Sequence, residues 1–533
     1  MNSKCCWLQV HDRSAGFAAK PLILLLLLAL IGSTGIGVCA DTDYDKRIAD
    51  AEARFDDGEF SQAEHLFSAI LADIGTVPDH KDQKWEAAYS LGETYIQLGL
   101  FDKANAALSK SLSFAQNNAS SDQTALARSW LSLAELRQLQ KKWSEAANLR
   151  QKASEAAKHS KDGSLIQARV LDCDAQSAIQ EGHYDRAQEL WKEALAIRKK
   201  RLDANDPALI CMVRNYAVAL RSIGAVPLAH ELNVQASQWE RKNTGQAMPL
   251  QINALNCLAV ASVMKDQQQA AEDGFKKALD LAHRYLPSSH PLVGDVLVNL
   301  GSLYGQERKF KDAEPLLKRA LSVVSQAYGP TNWKQATVLN DLGAINLDQG
   351  KFDVAESYMK RSLLVSEQSF GENSPDVASE LVNFGALFGR QGKYDSAVVY
   401  LIKAKGIYAR LDKPSPKDLA LCYANLAAML AGQQKLSDAE AAIRQALTFG
   451  EKAYGTNSVR TAIYLNSLGK VLVCQGKYVE AEPVYKRSFD IMEKQLAHKH
   501  PNFIAALNSY TFVLRKLKRS SEASQLEKQF ATN

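Results

Sequence analysis

An alanine recurs along the chain at an almost constant interval, and this period constrains the fold more than any other feature. Successive alanines lie 41 or 42 residues apart in the 533-residue sequence. The twelve positions are Ala63, Ala104, Ala146, Ala187, Ala229, Ala271, Ala313, Ala355, Ala397, Ala439, Ala481 and Ala523. Such a period is typical of a repeat array, in which each unit buries its apolar face only against its neighbours. The sequence therefore predicts twelve copies of one structural unit.

The order of small residues within the unit indicates the kind of repeat. A period of 42 alone would also fit HEAT or armadillo repeats. Here a glycine or alanine usually stands twelve residues before the alanine, and another small residue often follows seven later, as at Gly301, Ala313 and Ala320. This order resembles the tetratricopeptide repeat, in which small residues mark the close crossing of two antiparallel helices.

Three segments narrow the resemblance to one subclass. L-G-S-L-Y (300–304), D-A-E-P-L-L-K-R-A-L (312–321) and S-S-H-P-L-V (288–293) are similar to the 42-residue repeats of kinesin light chains and of bacterial proteins that carry them. The resemblance implies an all-α fold, an α-solenoid of about twelve helix–turn–helix repeats that form a right-handed superhelix. No heptad-bearing coiled coil precedes the repeats, which disfavours a motor subunit.

Short sequence signals predict where the helices begin. Ser61, Asp353 and Ser437 each stand three residues before a glutamate, as in a capping box, so we expect them to be the N-caps of second helices. Proline costs no hydrogen bond at the first position of a helix. We therefore expect first helices to begin at Pro207, Pro249, Pro291, Pro375 and Pro501.

The first forty residues differ from the rest. Leu22–Ile31 is a run of ten apolar residues that follows a basic segment, and Val38-Cys39-Ala40 ends the stretch. This is typical of a signal peptide cleaved after Ala40. An uncleaved anchor is the main alternative, because residues 21–40 have about the length that a bilayer needs, and a lipid on Cys39 is a weaker one. Each arrangement predicts an exported protein, which is periplasmic or secreted if the segment is cleaved and membrane-anchored if it is retained.

The remaining chain divides by similarity to the repeat consensus. We expect residues 41–249 to hold five divergent repeats and residues 250–533 to hold seven repeats closer to the kinesin-light-chain type. The net charge of the chain is only +5, too small to provide the field that a nucleic-acid backbone requires.

Helical periodicity predicts which face of each first helix points inward. With the small residue at position 8 and the alanine at position 20, positions 4, 7, 8 and 11 share the core face, and positions 2, 5, 6, 9 and 13 lie opposite. That opposite face is rich in asparagine. The predicted peptide-binding residues are Arg214, Asn215, Asn256, Asn299, Asn340, Asn383, Asn425, Asn466 and Asn508.

Two interpretations of these asparagines remain open. An amide both donates and accepts hydrogen bonds, so a row of amides can hold the backbone of an extended peptide. The kinesin light chain resemblance supports this, because asparagines in the corresponding block of that family contact cargo peptides. Alternatively, the amides bond to neighbouring helices or to water.

Charged residues on the same faces predict a polarised groove. Acidic residues stand near its start, at Glu86, Glu93, Glu135 and Asp172, and basic residues lie further along. The alternative is that these charges are simply solvated. Asp174 occupies position 7, where other repeats place a large apolar residue, so replacing it with leucine is predicted to stabilise the chain.

The repeats predict a non-catalytic function. The chain has no phosphate-binding loop, no G-x-S-x-G motif and no zinc-protease motif, and the repeats occupy residues 43–530. We therefore expect an exported scaffold that binds a protein or peptide in its concave groove, with no cofactor, no metal, no small-molecule substrate and no nucleic acid. The alternative is an assembly or secretion factor held at the membrane by residues 21–40.

Overall fold

A computed structural model describes residues 42–75, 80–117, 123–181, 183–202 and 268–531, and separate positions between 209 and 262. These residues contain twenty-one α-helices and no β-strand. The helices are α1 (Thr42–Asp56), α2 (Phe60–Ile74), α3 (Lys81–Gln97), α4 (Phe101–Asn117), α5 (Thr124–Leu139), α6 (Trp143–Ala157), α7 (Gly163–Gln180), α8 (Tyr184–Arg201), α9 (Gln268–Tyr285), α10 (Pro291–Gln306), α11 (Phe310–Tyr328), α12 (Trp333–Asp348), α13 (Phe352–Phe370), α14 (Pro375–Arg390), α15 (Tyr394–Ala409), α16 (Pro416–Gly432), α17 (Leu436–Tyr454), α18 (Val459–Cys474), α19 (Tyr478–Gln495), α20 (Pro501–Lys516) and α21 (Ser520–Ala531).

Consecutive helices form the predicted repeats. Helices α1 to α8 are repeats 1 to 4, α9 is the second helix of repeat 6, and α10 to α21 are repeats 7 to 12. The all-α solenoid predicted from the sequence is confirmed. The predicted export signal, Arg214 and Asn215 lie outside the described residues. Of the helices that the structure does describe, none combines the length and the apolar character needed to cross a bilayer.

The alanine column marks the crossing of the two helices of each repeat. All eleven alanines of the column that the structure describes are 0% exposed. Opposite them, a Cβ atom added to Gly301 would come within 2.8 Å of Leu317, and one added to Gly385 within 2.6 Å of Leu401. Only small residues allow this approach, so the period read from the sequence is a packing requirement.

The second helices begin earlier than the capping-box pattern predicts. The N-cap of a second helix is typically a lysine, as at Lys309, Lys393 and Lys477. None of these lysines makes a side-chain capping hydrogen bond. The expected caps Ser61, Asp353 and Ser437 lie at the second helical position instead. That prediction is wrong, but acidic residues in the first turns of α13 and α17, Asp353 and Asp438, still interact favourably with the helix dipole.

A left-handed residue in the turn before each second helix explains this early start. Position 15 of the repeat has a positive φ wherever the turn is described, as at Gly350, where φ is 75°. Four repeats place a larger residue there: Lys141, Arg308, Gln434 and Lys518. Because this residue reverses the chain within a three-residue turn, the following helix begins before a serine or aspartate could cap it.

The first helices expected to begin at Pro291, Pro375 and Pro501 do so, and each has a side-chain cap. Ser374 accepts a hydrogen bond from Val377 N and precedes Pro375, and His290 and His500 cap the helices that begin at Pro291 and Pro501 in the same way. Pro207 and Pro249 lie outside the described residues.

The described residues form two compact units. The N-unit contains the residues before 350 together with 360–372, and the C-unit contains 350–359 and the residues from 373 onward. The expected boundary at residue 249 between divergent and typical repeats concerns sequence similarity and stays a prediction.

Within the N-unit, the first two repeats contact repeats six places further along. The ring of Phe60 stacks on that of Tyr328 with centroids 5.3 Å apart, and Phe101 meets Phe370 at 5.5 Å. Asn332 Nδ2 donates to the carbonyl oxygen of Gln97 over 2.8 Å. We call this set of three contacts the long-range contact. Phe60 and Phe101 occupy the same position of their repeats, so the same packing occurs twice.

Candidate functional site

Two of the predicted asparagines of the N-unit bind each other. Asn299 Nδ2 donates to Asn256 Oδ1 over 2.9 Å, and Asn256 is only 3% exposed. Asn340 is half-buried and has interactions of its own. At these positions the structure supports the alternative interpretation, in which amides connect neighbouring first helices.

The asparagines of the C-unit are different. Asn425 is half-buried and Asn508 exposed, and neither side chain bonds to another described residue. Asn466 is 9% exposed, and its Oδ1 atom has no hydrogen-bond partner. Asn383 is half-buried and engaged elsewhere. Three amides on first helices of the C-unit therefore keep hydrogen-bonding capacity.

Two of the four acidic residues predicted to line the start of the groove, Asp172 and Glu135, form ion pairs. Asp172 pairs with Arg198, and each side chain is 5% exposed. Both carboxylate oxygens of Glu135 accept hydrogen bonds from Arg169 Nη2, at 2.8 and 2.9 Å. The first pair joins the two helices of repeat 4, α7 and α8, and the second joins α7 to α5 of repeat 3, so half of the predicted surface charge stabilises helix contacts.

Glu93 forms no such ion pair. It is 1% exposed, and neither of its oxygens has a hydrogen-bond partner. Burial raises its pKa to about 7, repulsion from Glu135 adds to the effect, and Arg169 opposes it. Near neutrality Glu93 therefore retains its proton for much of the time.

A pair of glutamines lies on the same faces of α5 and α7. Gln138 Nε2 donates to Gln176 Oε1 over 2.7 Å, and the two residues are 3% and 7% exposed. Gln138 Oε1 and Gln176 Nε2 have no partner. The sequence analysis did not select these residues, although Gln176 stands at position 9, as Glu93 and Glu135 do.

Carboxyl groups that lack a balancing cation are also found in the first repeat. Burial raises the pKa of Glu52 to about 7, and the nearby carboxylates of Glu86 and Asp56 add to this rise, while Arg128 opposes it. Burial also raises the pKa of Glu86, with Asp45 contributing. Helices α1 and α3 thus hold carboxyl groups with too few cations between them.

Asp174 does not face an apolar core. Its Oδ1 atom accepts a hydrogen bond from Arg150 Nε over 2.6 Å. The Arg150 side chain is 5% exposed and that of Asp174 is 39% exposed. The unusual carboxylate at position 7 therefore compensates the charge of a buried arginine on the second helix of the preceding repeat.

Models of the tetratricopeptide repeat match much of this sequence. One matches residues 250–326, 334–410 and 418–494, and a second matches residues 86–118. The chain is a tetratricopeptide-repeat protein. These matches agree with the buried alanine column and the paired helices, whereas the particular resemblance to kinesin light chains stays a prediction. No curated protein matches this tetratricopeptide-repeat chain in sequence.

Several solved structures are similar to the chain at low sequence identity. A Rap protein complexed with competence and sporulation factor is 16% identical, covering 69% of this chain and 98% of its own, with a TM-score of 0.45. Yeast Tom70 is 14% identical, with coverage of 92% and 100% and a TM-score of 0.44. BtubC (BKLC) from P. vanneervenii is 22% identical, with coverage of 46% and 91% and a TM-score of 0.35. Because these TM-scores are low, the assignment rests on the family models and the helix pairs.

The described part of these tetratricopeptide repeats holds no cluster of three or more His, Cys, Asp or Glu side chains that could bind a metal ion. Cys173 and Cys422 are buried, and burial raises the pKa of both thiols. What the first helices offer to a ligand is hydrogen bonds from their amide groups and charge from their carboxyl groups.

Proposed function

We propose that the chain is an exported, non-catalytic scaffold that binds a protein or peptide along its first helices. The observation that carries the proposal is the set of amides with unused hydrogen-bonding capacity in the C-unit: Asn425, Asn466 and Asn508. Tetratricopeptide repeats on both sides of these residues supply a rigid support for them.

The chemistry of these amides suits an extended backbone. Each amide group can donate to a carbonyl oxygen and accept from an N–H group. Recognition of this kind requires little of the partner's side chains, because every residue except proline offers the same two backbone groups. Further specificity then has to come from other residues on the first helices.

The proposal that the protein is exported rests on the sequence of residues 1–40 alone. The apolar run Leu22–Ile31 and the small residues before Asp41 support cleavage after Ala40. The length of residues 21–40 supports the second candidate, an assembly or secretion factor anchored in the membrane. Mass spectrometry of the protein from its native host separates the two, because a retained Met1 on membrane-bound protein contradicts cleavage.

The binding proposal is tested with peptides selected from a random dodecapeptide library on the chain from Asp41 onward. Replacing Asn425, Asn466 and Asn508 together with alanine removes hydrogen bonds worth about 0.5–1.5 kcal/mol each, so affinity should fall roughly tenfold to a thousandfold. Alanine is the better helix former, so the thermal stability should not decrease.

The matched control changes three exposed residues on second helices: Lys318, Lys360 and Arg361. Their replacement with alanine should leave affinity nearly unchanged. If the control variant loses affinity and the asparagine variant does not, the outer face is the binding surface and the proposal is wrong.

A further inference from the structure

We propose that repeats 2 to 4 hold a subsite for a basic side chain, in which Glu93 binds the ammonium or guanidinium group of a lysine or arginine of the partner. The inference rests on the proposed function, because it specifies the chemistry of the segment that the scaffold binds. Its evidence comes from the N-unit alone.

The charges around Glu93 do not balance. Arg169 is the cation nearest to both Glu93 and Glu135, and its Nη2 atom is bonded to Glu135. The other arginines of the neighbouring helices pair elsewhere: Arg128 with Asp162, Arg137 with Glu145, and Arg198 with Asp172.

The uncharged neighbours do not compensate Glu93 either. Ser132 opposes the rise in the pKa of Glu93, but its hydroxyl donates to that of Tyr89 over 3.2 Å, and neither oxygen of Glu93 has a hydrogen-bond partner. One buried carboxyl group therefore has no ion pair of its own and no hydrogen bond.

Gln138 and Gln176, in the next two repeats, also have buried hydrogen-bonding atoms without a partner. Buried polar atoms in folded proteins are nearly all bonded, so each exception calls for an explanation. Here Gln138 Oε1 accepts nothing and Gln176 Nε2 donates nothing, although both residues are almost fully buried. A free acceptor and a free donor suit the backbone of the segment whose side chain reaches Glu93.

A basic side chain fits better than a metal ion. A single free carboxylate offers two oxygens, whereas calcium takes six or more ligands. Lysine and arginine carry their charge at the end of a long flexible stem, which can reach a buried carboxylate. Because Glu93 is 1% exposed, the subsite has to open as the partner enters.

Binding is coupled to release of a proton. In the free chain burial raises the pKa of Glu93 to about 7, so the carboxylic acid is mostly protonated below that pH. When the partner's cation arrives, the O–H bond breaks, the proton leaves to solvent and the carboxylate pairs with the cation, which stays protonated. A basic segment should therefore bind with the release of about one proton per chain slightly below neutral pH.

The test uses the chain from Asp41 onward and a positional-scanning dodecapeptide library. The wild-type chain should select lysine or arginine at one peptide position, and replacing that residue with norleucine should lower affinity at least tenfold. In E93Q this preference should vanish. The control E155Q, which changes a side chain 71% exposed on α6, should keep it.

Calorimetry in two buffers of different ionisation enthalpy measures the proton release. The wild type and E155Q should release a proton on binding, and E93Q should release none. Because proton release is measured on the wild type itself, a folding defect in E93Q would not hide the answer.

The outcomes separate this inference from the proposed function. Tight binding without a preference for a basic residue, or without proton release, overturns the subsite and leaves the scaffold intact. Retention of both properties in E93Q overturns the role of Glu93. Failure of the wild type to bind any peptide overturns the subsite and the proposed function together.

Discussion

The side chain of Asn332 links two segments of the chain that are 235 residues apart in sequence. Its Oδ1 atom accepts a hydrogen bond from Lys334 N over 2.9 Å and so caps α12, and its Nδ2 atom donates to Gln97 O over 2.8 Å. The residue is 1% exposed. One amide therefore caps the start of a helix and also joins repeat 2 to repeat 8 within the N-unit.

Two substitutions of Asn332 should separate these two roles. Alanine removes both hydrogen bonds, and we expect it to lower the free energy of unfolding by about 1–3 kcal/mol. Aspartate keeps an acceptor for the cap but cannot donate to Gln97. It should therefore destabilise through the lost long-range bond and through the burial of a carboxylate against that carbonyl oxygen, as measured by urea unfolding. Equal stability of the wild type and Asn332→Ala would show that the bond to Gln97 contributes nothing.

The aromatic stack of the long-range contact should appear as a coupling energy. Phe60→Ala removes a side chain that is 7% exposed and should cost about 3–5 kcal/mol. Part of this cost comes from the ring of Tyr328. A double-mutant cycle with Tyr328→Ala should show a coupling of about 0.5–1.5 kcal/mol. Strict additivity of the two single substitutions would contradict the contact.

The turn at Gly350 offers a direct measure of backbone strain. Its φ is 75°, and a Cβ atom added there would meet nothing within 4 Å. Gly350→Ala should therefore cost about 1–2 kcal/mol through the left-handed conformation alone. The reverse change, Gln434→Gly at the equivalent position, should leave stability unchanged or increase it. A destabilised Gln434→Gly variant would mean that the glutamine side chain outweighs the strain.

The structure reverses the effect predicted from the sequence for Asp174. Asp174→Leu leaves Arg150, with its 5% exposed side chain, without its carboxylate partner. Because Asp174 is itself well exposed, we expect a loss of only about 1–2 kcal/mol in the free energy of unfolding. Asp174→Asn keeps an acceptor for Arg150 and should cost less. A melting temperature raised by leucine would restore the interpretation drawn from the sequence.

The features that the sequence predicts well depend on neighbours close along the chain. The burial of Ala313 and the core face at Leu297 follow from the helical period and the 42-residue repeat. Pro375 after Ser374 identifies the start of α14 from two adjacent residues.

The features that the sequence misses depend on geometry between repeats. Asp174 meets Arg150 only because α7 packs on α6 at one particular register. The bond from Asn332 to Gln97 depends on small rotations that accumulate over six repeats, which no local pattern specifies. The pairing of Asn299 with Asn256 likewise depends on which rotamers face each other, so the sequence did not indicate that these two predicted ligand residues bond to each other.

The pH dependence of stability should reveal Glu93. Its pKa is about 7 in the folded chain, against an ordinary 4.5, chiefly because of burial. Below pH 4.5 both folded and unfolded chains hold the proton, and the contribution of Glu93 to stability is fully present. Between pH 4.5 and 7 the unfolded chain releases the proton while the folded chain keeps it, so the free energy of unfolding falls as the pH rises.

E93Q removes this titration, so its stability relative to the wild type should increase across the same window. Glu52 has a pKa raised to about 7 as well, so some decline should persist in E93Q and become smaller still in the double variant E52Q/E93Q. Urea unfolding at several pH values measures the difference, with the exposed Glu480→Gln on α19 as a control that should follow the wild type. A constant difference between E93Q and the wild type would mean that Glu93 has the same pKa in the folded and unfolded chains. The buried carboxyl group would then be ionised, with its negative charge compensated by a cation. The interpretation that Arg169 pairs with Glu135 and leaves Glu93 without an ion pair would then be wrong.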